Sequence, residues 1–353
     1  MNSSPTFFNI SSLLIEWYKT NKRDLPWRQT TDPYKIWISE IILQQTRVDQ
    51  GLPYYESIIN RYPDVYSLAN ASLDDVMKLW QGLGYYSRAR NMHTAAIQVV
   101  KDFGGVFPAY YEKLLELKGI GTYTAAAIAS FAFRIPKAVL DGNVFRVLSR
   151  LFAIETPINT TEGRTIFKNL AEELIDLKNP DLYNQAIMDF GALQCVPFKP
   201  DCVNCLLSDH CLSFASGEVE DFPVKLAIAK KRDRYFHYFY ITDSHSVWLQ
   251  QRTEKDIWQQ LWEFPLIESN KSESIEWLLE QKELSTIINN NIQISRSYSK
   301  NHILTHQIIH AQFFTIHIKS KDHLSDKWKE VPLSELDQYA VSRLTELFME
   351  KYI

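Results

Sequence analysis

Three groups of residues have types and spacings that could do chemistry. All four cysteines of the chain fall between Cys195 and Cys211, spaced C-x6-C-x2-C-x5-C. Thiolates gathered in one short stretch suit a metal centre, whereas a secreted disulfide framework spreads its cysteines along the chain. The second group lies in "LKGIGTYTAAAIASFAF" (Leu117–Phe133), where Gly119 and Gly121 precede a run of small residues. Both glycines can take positive φ, and a helix starting near Thr122 adds unsatisfied N–H donors and its dipole, together an anion site. A tight inter-helical turn with no ligand accounts for the same residues. The third group is a pair of carboxylates. Asp141, in "VLDGNVFRVLSRL", stands just before a helix, where capping is the ordinary role. Glu40 shares a helical face with Ile36, Trp37 and Leu43. A carboxyl on such a face is partly desolvated, and its raised pKa suits a general acid at neutral pH.

The elements that must hold these groups fall into two parts. Apolar residues recur at three- and four-residue spacing through the first part, predicting helices over Ser11–Tyr18, Tyr34–Val48, Val65–Leu79, Ala89–Val100, Ala109–Leu117, Tyr123–Phe133, Val144–Phe152, Arg164–Ile175 and Asp181–Leu193. Asp32-Pro33, Ser72 with Asp75, and Thr160-Thr161 supply start signals. The stretch "SGEVEDFPVKLAIAKKRDR" (Ser216–Arg234) is charged and aperiodic, as a linker is. Beyond it, Tyr235–Ile241, Ser246–Arg252 and Ala311–Ile318 are β-branched and aromatic and read as strands, while Glu273–Gln281 and Leu333–Ile353 read as helices. The predicted division is a helical domain over 7–216, a linker over 217–232 and an α+β domain over 233–353. The 353 residues suffice for two such cores, and the composition is that of an ordinary globular protein. A net charge of −4 is no signature of a nucleic-acid partner, which ordinarily shows as a basic balance. No export signal and no bilayer-length apolar run stand out, so a cytoplasmic location without membrane association is expected.

The combination of "LKGIGTYTAAAI", "VLDGNVFR" and the four-cysteine loop resembles the helix-hairpin-helix DNA glycosylases of the endonuclease III superfamily. The cysteine spacing is similar to that family's [4Fe–4S] pattern, which favours a cluster held by Cys195, Cys202, Cys205 and Cys211 over structural zinc. The resemblance implies that the hairpin residues Lys118, Gly119 and Gly121 meet the DNA backbone and that Asp141 faces the sugar. It also implies that Tyr123 occupies the place of a Schiff-base lysine. Tyrosine has no amine for that adduct, so a monofunctional glycosylase is expected. The segment "DLPWRQTTDPYKIWISEIILQQTRVDQ" (Asp24–Gln50) resembles the MutY-type adenine DNA glycosylases, and this likeness extends over nearly the full chain. It implies that Glu40 protonates adenine at N7, with Asp141, Asn143 and Tyr123 serving the sugar. Arg23, Leu25, Trp27, Arg28 and Gln185 would line the adenine pocket, and Leu43, Gln45 and Tyr85 would lie at the orphan base. Core packing is the bland alternative for Trp27 and Tyr85. The implied partner is duplex DNA carrying 8-oxoguanine:adenine or guanine:adenine mispairs, bound by a monomer, which if bacterial would associate with the nucleoid through that DNA.

The C-terminal stretch "VWLQQRTEKDIWQQLWEFPLIE" (Val247–Glu268) resembles the Nudix-like domain that follows such cores. No carboxylate-rich helix follows it, so lesion reading rather than pyrophosphate hydrolysis is expected. Many family members carry Phe-Ser-His in the loop that inspects 8-oxoguanine. The matching place here is Leu304-Thr305-His306, which keeps a hydroxyl and the histidine but loses the ring; exposed histidines on a plain strand are the alternative. Rival readings are a pyrimidine-specific glycosylase-lyase of the same fold, opposed by Tyr123, and a non-enzymatic iron–sulfur DNA sensor, opposed by the carboxylate pair.

Overall fold

The structure, a computed structural model, describes residues 6–227, 231–285, 294–321 and 324–353. The chain forms two compact units, one of Met1–Asn70 with Asn91–Ala227 and one of Ala71–Arg90 with Ile228–Ile353. The helical N-terminal region and sheet-bearing C-terminal region follow the expected order. Residues 71–90, expected in the helical domain, pack with the later residues, and residues 217–227, expected as linker, group with the first unit. Arg90 donates to the Gln259 carbonyl at 2.7 Å, Tyr86 Oη to that of Val341 at 3.2 Å, and Gln81 Nε2 to Glu346 at 2.9 Å.

Helices α1 (Thr6–Asn21), α2 (Pro33–Leu43), α3 (Val48–Arg61) and α4 (Val65–Ala69) open the chain. Asp32 caps α2 by accepting from the Tyr34 N–H at 2.9 Å, with Pro33 in the first turn. The expected helix over Tyr34–Val48 is instead two elements. α2 stops at Leu43, Gln45 takes a left-handed φ of 57°, and α3 restarts at Val48. The expected Val65–Leu79 helix is likewise broken. Ser72 accepts from the Asp75 N–H and so starts α5 (Leu73–Leu79) as a separate element. Next come α6 (Ser87–Phe103), α7 (Tyr111–Leu115), α8 (Thr122–Phe133), α9 (Gly142–Leu151), α10 (Thr161–Leu174), α11 (Pro180–Leu193) and the short α12 (Leu212–Ser216).

The core of the first unit joins α1, α8, α9, α10 and α11 through Leu14, Ala127, Val147, Leu148, Phe167, Ile187 and Phe190. α2 packs on α8 and α3. It is buried nearly all round, at Tyr34, Ile36, Trp37, Ile38, Ser39, Glu40, Ile41 and Ile42. Apolar residues on every side are what such a central helix requires.

The second unit is built on a mixed sheet of β1 (Arg232–Thr242), β2 (Ser246–Gln251), β3 (Trp262–Glu263), β4 (Leu266–Ser269), β5 (Ile294–Ile303), β6 (Gln307–His317) and β7 (Lys329–Pro332). The central path is β3-β2-β1-β6-β5, with β4 beside β1 and β7 beside β2. β1 and β6 run parallel, with Phe236 opposite Ala311, and β5 returns antiparallel to β6. The expected Glu273–Gln281 helix is shorter, α13 (Ile275–Leu279), and α14 (Lys282–Ser285) follows it. The last predicted helix begins as a 3-10 turn over Leu333–Gln338 and continues as α15 (Arg343–Tyr352) after the Ser342 cap. The strand alternation of β5 was hidden by its polar sequence, "ISRSYSKNHI", whose side chains are mostly solvated. Leu304, Thr305 and His306 form the turn between β5 and β6, closed by the Leu304 N–H on the Gln307 carbonyl at 2.9 Å.

Candidate active site

A cavity of about 640 Å³ in the first unit is lined by Arg23, Leu25, Trp27, Arg28, Glu40, Leu43, Tyr123, Asp141, Asn143 and Gln185. Those ten residues come from five segments up to about 160 positions apart, and all ten were singled out by sequence. A second cleft shares Glu40, Leu43, Tyr123 and Asp141 and adds Gln45, Gly119 and Gly121. The hairpin therefore borders the same site as the carboxylates.

Glu40 is 6% exposed. Burial pushes its carboxyl up to about 7, against a hydrogen bond from Tyr123 and the charge of Arg28, and Asp141 adds to the rise. Asp141 caps α9, accepting from the Asn143 N–H at 2.9 Å, the Asn143 side-chain amide at 2.9 Å and the Val144 N–H at 2.8 Å. Burial raises its pKa too, while those three donors pull the other way. The capping role and the proximity to Glu40 thus coexist in one side chain. Asn143 is itself oriented: its Oδ1 accepts from Arg146 Nη2 at 2.9 Å, which leaves its amide N–H for Asp141. Arg146 also donates to the Gly191 and Cys195 carbonyls, at 2.6 and 2.7 Å. The Tyr123 hydroxyl oxygen lies 3.9 Å from Met188 Sδ, and burial, followed by the charges of Glu40 and Asp141, holds its hydroxyl far above the usual tyrosine range. It is a neutral donor at any working pH.

The hairpin departs from expectation at one glycine. Gly119 has φ of 77°, and a Cβ there would lie 2.6 Å from Asn91 Cβ. Gly121 has φ of −90° and ψ of −178°, ordinary extended backbone at the N-cap of α8, with open space around it. Its use is the approach it leaves to the helix N-terminus, not a special conformation. Lys118 is exposed beside it, its backbone N–H donating to Gln98 Oε1 at 2.7 Å.

Sequence reasoning missed Asp189, Tyr18, Phe131 and Met188. The fully buried Asp189 carboxylate binds both expected pocket arginines. Arg28 Nη2 and Arg23 Nε each donate to its Oδ1 at 2.8 Å, and Arg28 Nη1 donates to its Oδ2. Burial alone would raise Asp189; the hydrogen bonds and charge of Arg28, then Arg23, bring it below the ordinary carboxylate range. Phe131 and Met188 line the same cavity. No local signal marks these residues, because their partners are brought together only by α1, α8 and α11 packing.

In the second unit, Tyr85 is 47% exposed with φ of 48°, between Gly84 and the start of α6. The Arg88 guanidinium lies over its ring at 5.5 Å, and its hydroxyl is 3.0 Å from Thr305 Oγ1. Core packing is excluded for Tyr85, whereas Trp27 is buried against Tyr55 as well as lining the cavity. Leu304 packs on the sheet core; Thr305 and His306 are exposed.

Cys195, Cys202, Cys205 and Cys211 border one small cavity of about 30 Å³ in the first unit. They do not converge on a point: among the described residues no three His, Cys, Asp or Glu could hold a single metal ion. Arg150 Nη1 donates to Cys195 Sγ at 3.5 Å and the Leu207 N–H to Cys205 Sγ at 3.4 Å. Four sulfurs around a shared space, served by N–H donors and a guanidinium, fit a polynuclear thiolate-ligated group.

Residues 38–173 match a model described as HhH-GPD superfamily base excision DNA repair protein, and residues 237–351 match a NUDIX domain. The fold and the carboxylate-lined cavity beside a hairpin therefore define a base excision DNA glycosylase with a Nudix-like domain behind it. A thermostable thymine-DNA glycosylase structure is similar at 30% identity with a TM-score of 0.56, covering 60% of this chain and 97% of that one. An endonuclease III–DNA complex, 20% identical with a TM-score of 0.52, shares the fold over 61% of this chain and 99% of its own. An adenine DNA glycosylase of Buchnera aphidicola is 34% identical over 92% of this chain and 90% of its own length. The human adenine DNA glycosylase is 42% identical over 56% of this chain and 38% of its own. The chain belongs to the adenine DNA glycosylase family and is an adenine-specific DNA N-glycosylase of base excision repair. No helix among the described residues is long and apolar enough to cross a membrane.

The displaced Glu40 titration has a consequence for stability. A carboxyl raised from 4.5 to about 7 binds its proton more tightly in the folded chain, so the stability it contributes at low pH is lost as pH rises through 7. The loss is on the order of 3 kcal/mol. Glu40→Gln is expected to melt at a higher temperature than the parent, with an advantage that widens between about pH 5 and about pH 8. A pH-independent offset in calorimetry would refute the desolvation of Glu40.

Proposed function

We propose that this enzyme hydrolyses the N-glycosidic bond of adenine mispaired with 8-oxoguanine or guanine in duplex DNA, without cutting the strand. The observation that carries the reading is the unequal carboxylate pair: Glu40, pushed to about 7, shares one cavity with a hydrogen-bonded Asp141. Adenine is a poor leaving group until protonated, and its departure leaves an oxocarbenium-like sugar. One group must donate a proton while the other remains an anion, the division of labour of glycoside hydrolysis.

Glu40 delivers its proton to adenine N7 and, once ionised, draws a proton from the attacking water. Asp141 faces the sugar as the anion, held so by Asn143 and the α9 N–H groups. Tyr123, a neutral donor, supports the sugar intermediate, and because it has no amine no Schiff base forms. Extruding the base costs on the order of a few kcal/mol, which contacts to the gap and the orphan base offset. Leu43, Gln45 and Tyr85 serve there. The exposed Thr305 and His306, with Tyr85 bonded to Thr305, read the 8-oxoguanine. Lys118, Gly119 and Gly121 present the hairpin to a phosphate.

Cys195, Cys202, Cys205 and Cys211 hold a [4Fe–4S] cluster in this reading. When bound, it would tie the loop between α11 and α12 to itself through iron–thiolate bonds, and that loop exposes Lys199 to the DNA backbone.

An 8-oxoguanine:adenine duplex treated with the enzyme and then hot alkali should be cut in the adenine strand alone, and not cut when alkali is omitted. Glu40→Gln and Asp141→Asn are each expected to slow single-turnover excision by roughly 100-fold or more while retaining duplex binding. Near-parental rates in either variant would remove that residue from the mechanism. Purified enzyme should be brown with a broad visible absorbance; a colourless protein with stoichiometric zinc would overturn the cluster. Replacing Thr305 and His306 together by alanine should reduce the preference for 8-oxoguanine over guanine opposite adenine, measured as a ratio of excision rates, and an unchanged ratio counts against the turn as the lesion reader.

A further inference from the structure

Against Gln185, a residue of the cavity wall, lies a tyrosine to which no role has been given. Tyr18, on α1, is 5% exposed, and its hydroxyl donates to Gln185 Oε1 at 2.6 Å, across 167 positions of sequence. Arg28 lies on the other side of the phenol. Its guanidinium carbon is 5.8 Å from the ring centroid, and Nη1 donates to the Tyr18 oxygen at 3.5 Å. Arg28 is held in turn by the buried Asp189.

This chain of donors has a direction. A guanidinium has no acceptor, so at the contact with Arg28 the Tyr18 oxygen must accept. Its one proton goes to the Gln185 amide oxygen. Burial raises the Tyr18 pKa, so the proton stays in place. An amide plane is rigid, and anchoring its oxygen on Tyr18 turns the NH2 away from that residue. Gln185 lines the cavity, and among the described residues nothing accepts from its Nε2. A free Gln side chain could offer either end to a purine; this one is set to offer N–H.

We propose that Tyr18 is a specificity-determining positioning residue, which locks Gln185 so that the pocket presents a hydrogen-bond donor to the Watson–Crick edge of the extruded base. The inference rests on the reading of this cavity as the adenine pocket. Adenine N1 is an acceptor and meets that donor. Hypoxanthine and guanine carry N1–H, which sets donor against donor and leaves both groups unpaired in a water-poor site. A site built to make a hydrogen bond rejects the base that cannot complete it more strongly than an apolar pocket does.

The test is single-turnover excision from two duplexes differing only in adenine or hypoxanthine opposite 8-oxoguanine. The parent enzyme should prefer adenine. Tyr18→Phe keeps the ring and its packing but removes the lock, so the adenine-to-hypoxanthine rate ratio should fall by roughly tenfold or more. Gln185→Glu, which replaces the donor by an acceptor with Tyr18 intact, should lower the same ratio. The double variant should fall no further than the lower single, because both changes act on one hydrogen bond. If Tyr18→Phe slows both bases equally, or only lowers Tm, Tyr18 is structural and the proposal fails. A ratio that falls independently in the two variants also overturns it. A parent enzyme that does not release adenine opposite 8-oxoguanine would instead refute the assignment of the pocket, a result visible before any variant is compared.

Discussion

Taking Glu40 out of water is the constraint on which the first unit turns. A carboxyl at 6% exposure costs several kcal/mol unless it is protonated or paired, and here it is neither fully. α2 brings it inside because Ile36, Trp37, Ile38, Ile41 and Ile42 bury every side of the same helix. The surroundings moderate the cost without cancelling it. Tyr123 donates to the carboxyl and Arg28 supplies charge at a distance, while its own strong partner is Asp189. Had Arg28 paired with Glu40 directly, the carboxyl would be held ionised.

Two buried carboxyls thus receive opposite treatment within the first unit. Asp189 has two guanidiniums and falls below the usual range; Glu40 has a phenol and rises to about 7. Asp141 stands between them, raised by burial yet furnished with three N–H donors at a helix start. The chain from the Cys195 and Gly191 carbonyls through Arg146 and Asn143 ends on that carboxylate. Packing at the cysteine loop and the orientation of Asp141 are therefore parts of one hydrogen-bonded assembly.

Local chemistry was readable wherever one residue and its near neighbours decide the outcome. Asp32, Ser72 and Thr160 start helices as their side chains require, and β1, β2 and β6 appear where β-branched and aromatic residues cluster. The break after Leu43 was not readable: "ILQQTRV" carries no proline or glycine, and only tertiary packing puts Gln45 at positive φ. Gly121 was over-read, since a glycine can serve by leaving room as well as by bending. The helix expected over Val65–Leu79 runs across the boundary at residue 71, and periodicity says that a face is buried without saying against what.

By itself the sequence determined the two carboxylates, the Gly-x-Gly turn followed by Tyr123, the cysteine spacing and the order of a helical region before a sheet-bearing one. These are properties of residue type and short-range spacing, and resemblance to a family rests on the same information. The tertiary structure alone decided what each group can do. Whether Glu40 is an acid depends on which cation reaches it, and which end of Gln185 faces the cavity depends on Tyr18, 167 positions away. Charge states and hydrogen-bond directions are set by neighbours in space, and only the packing of α1, α2, α8 and α11 supplies those neighbours.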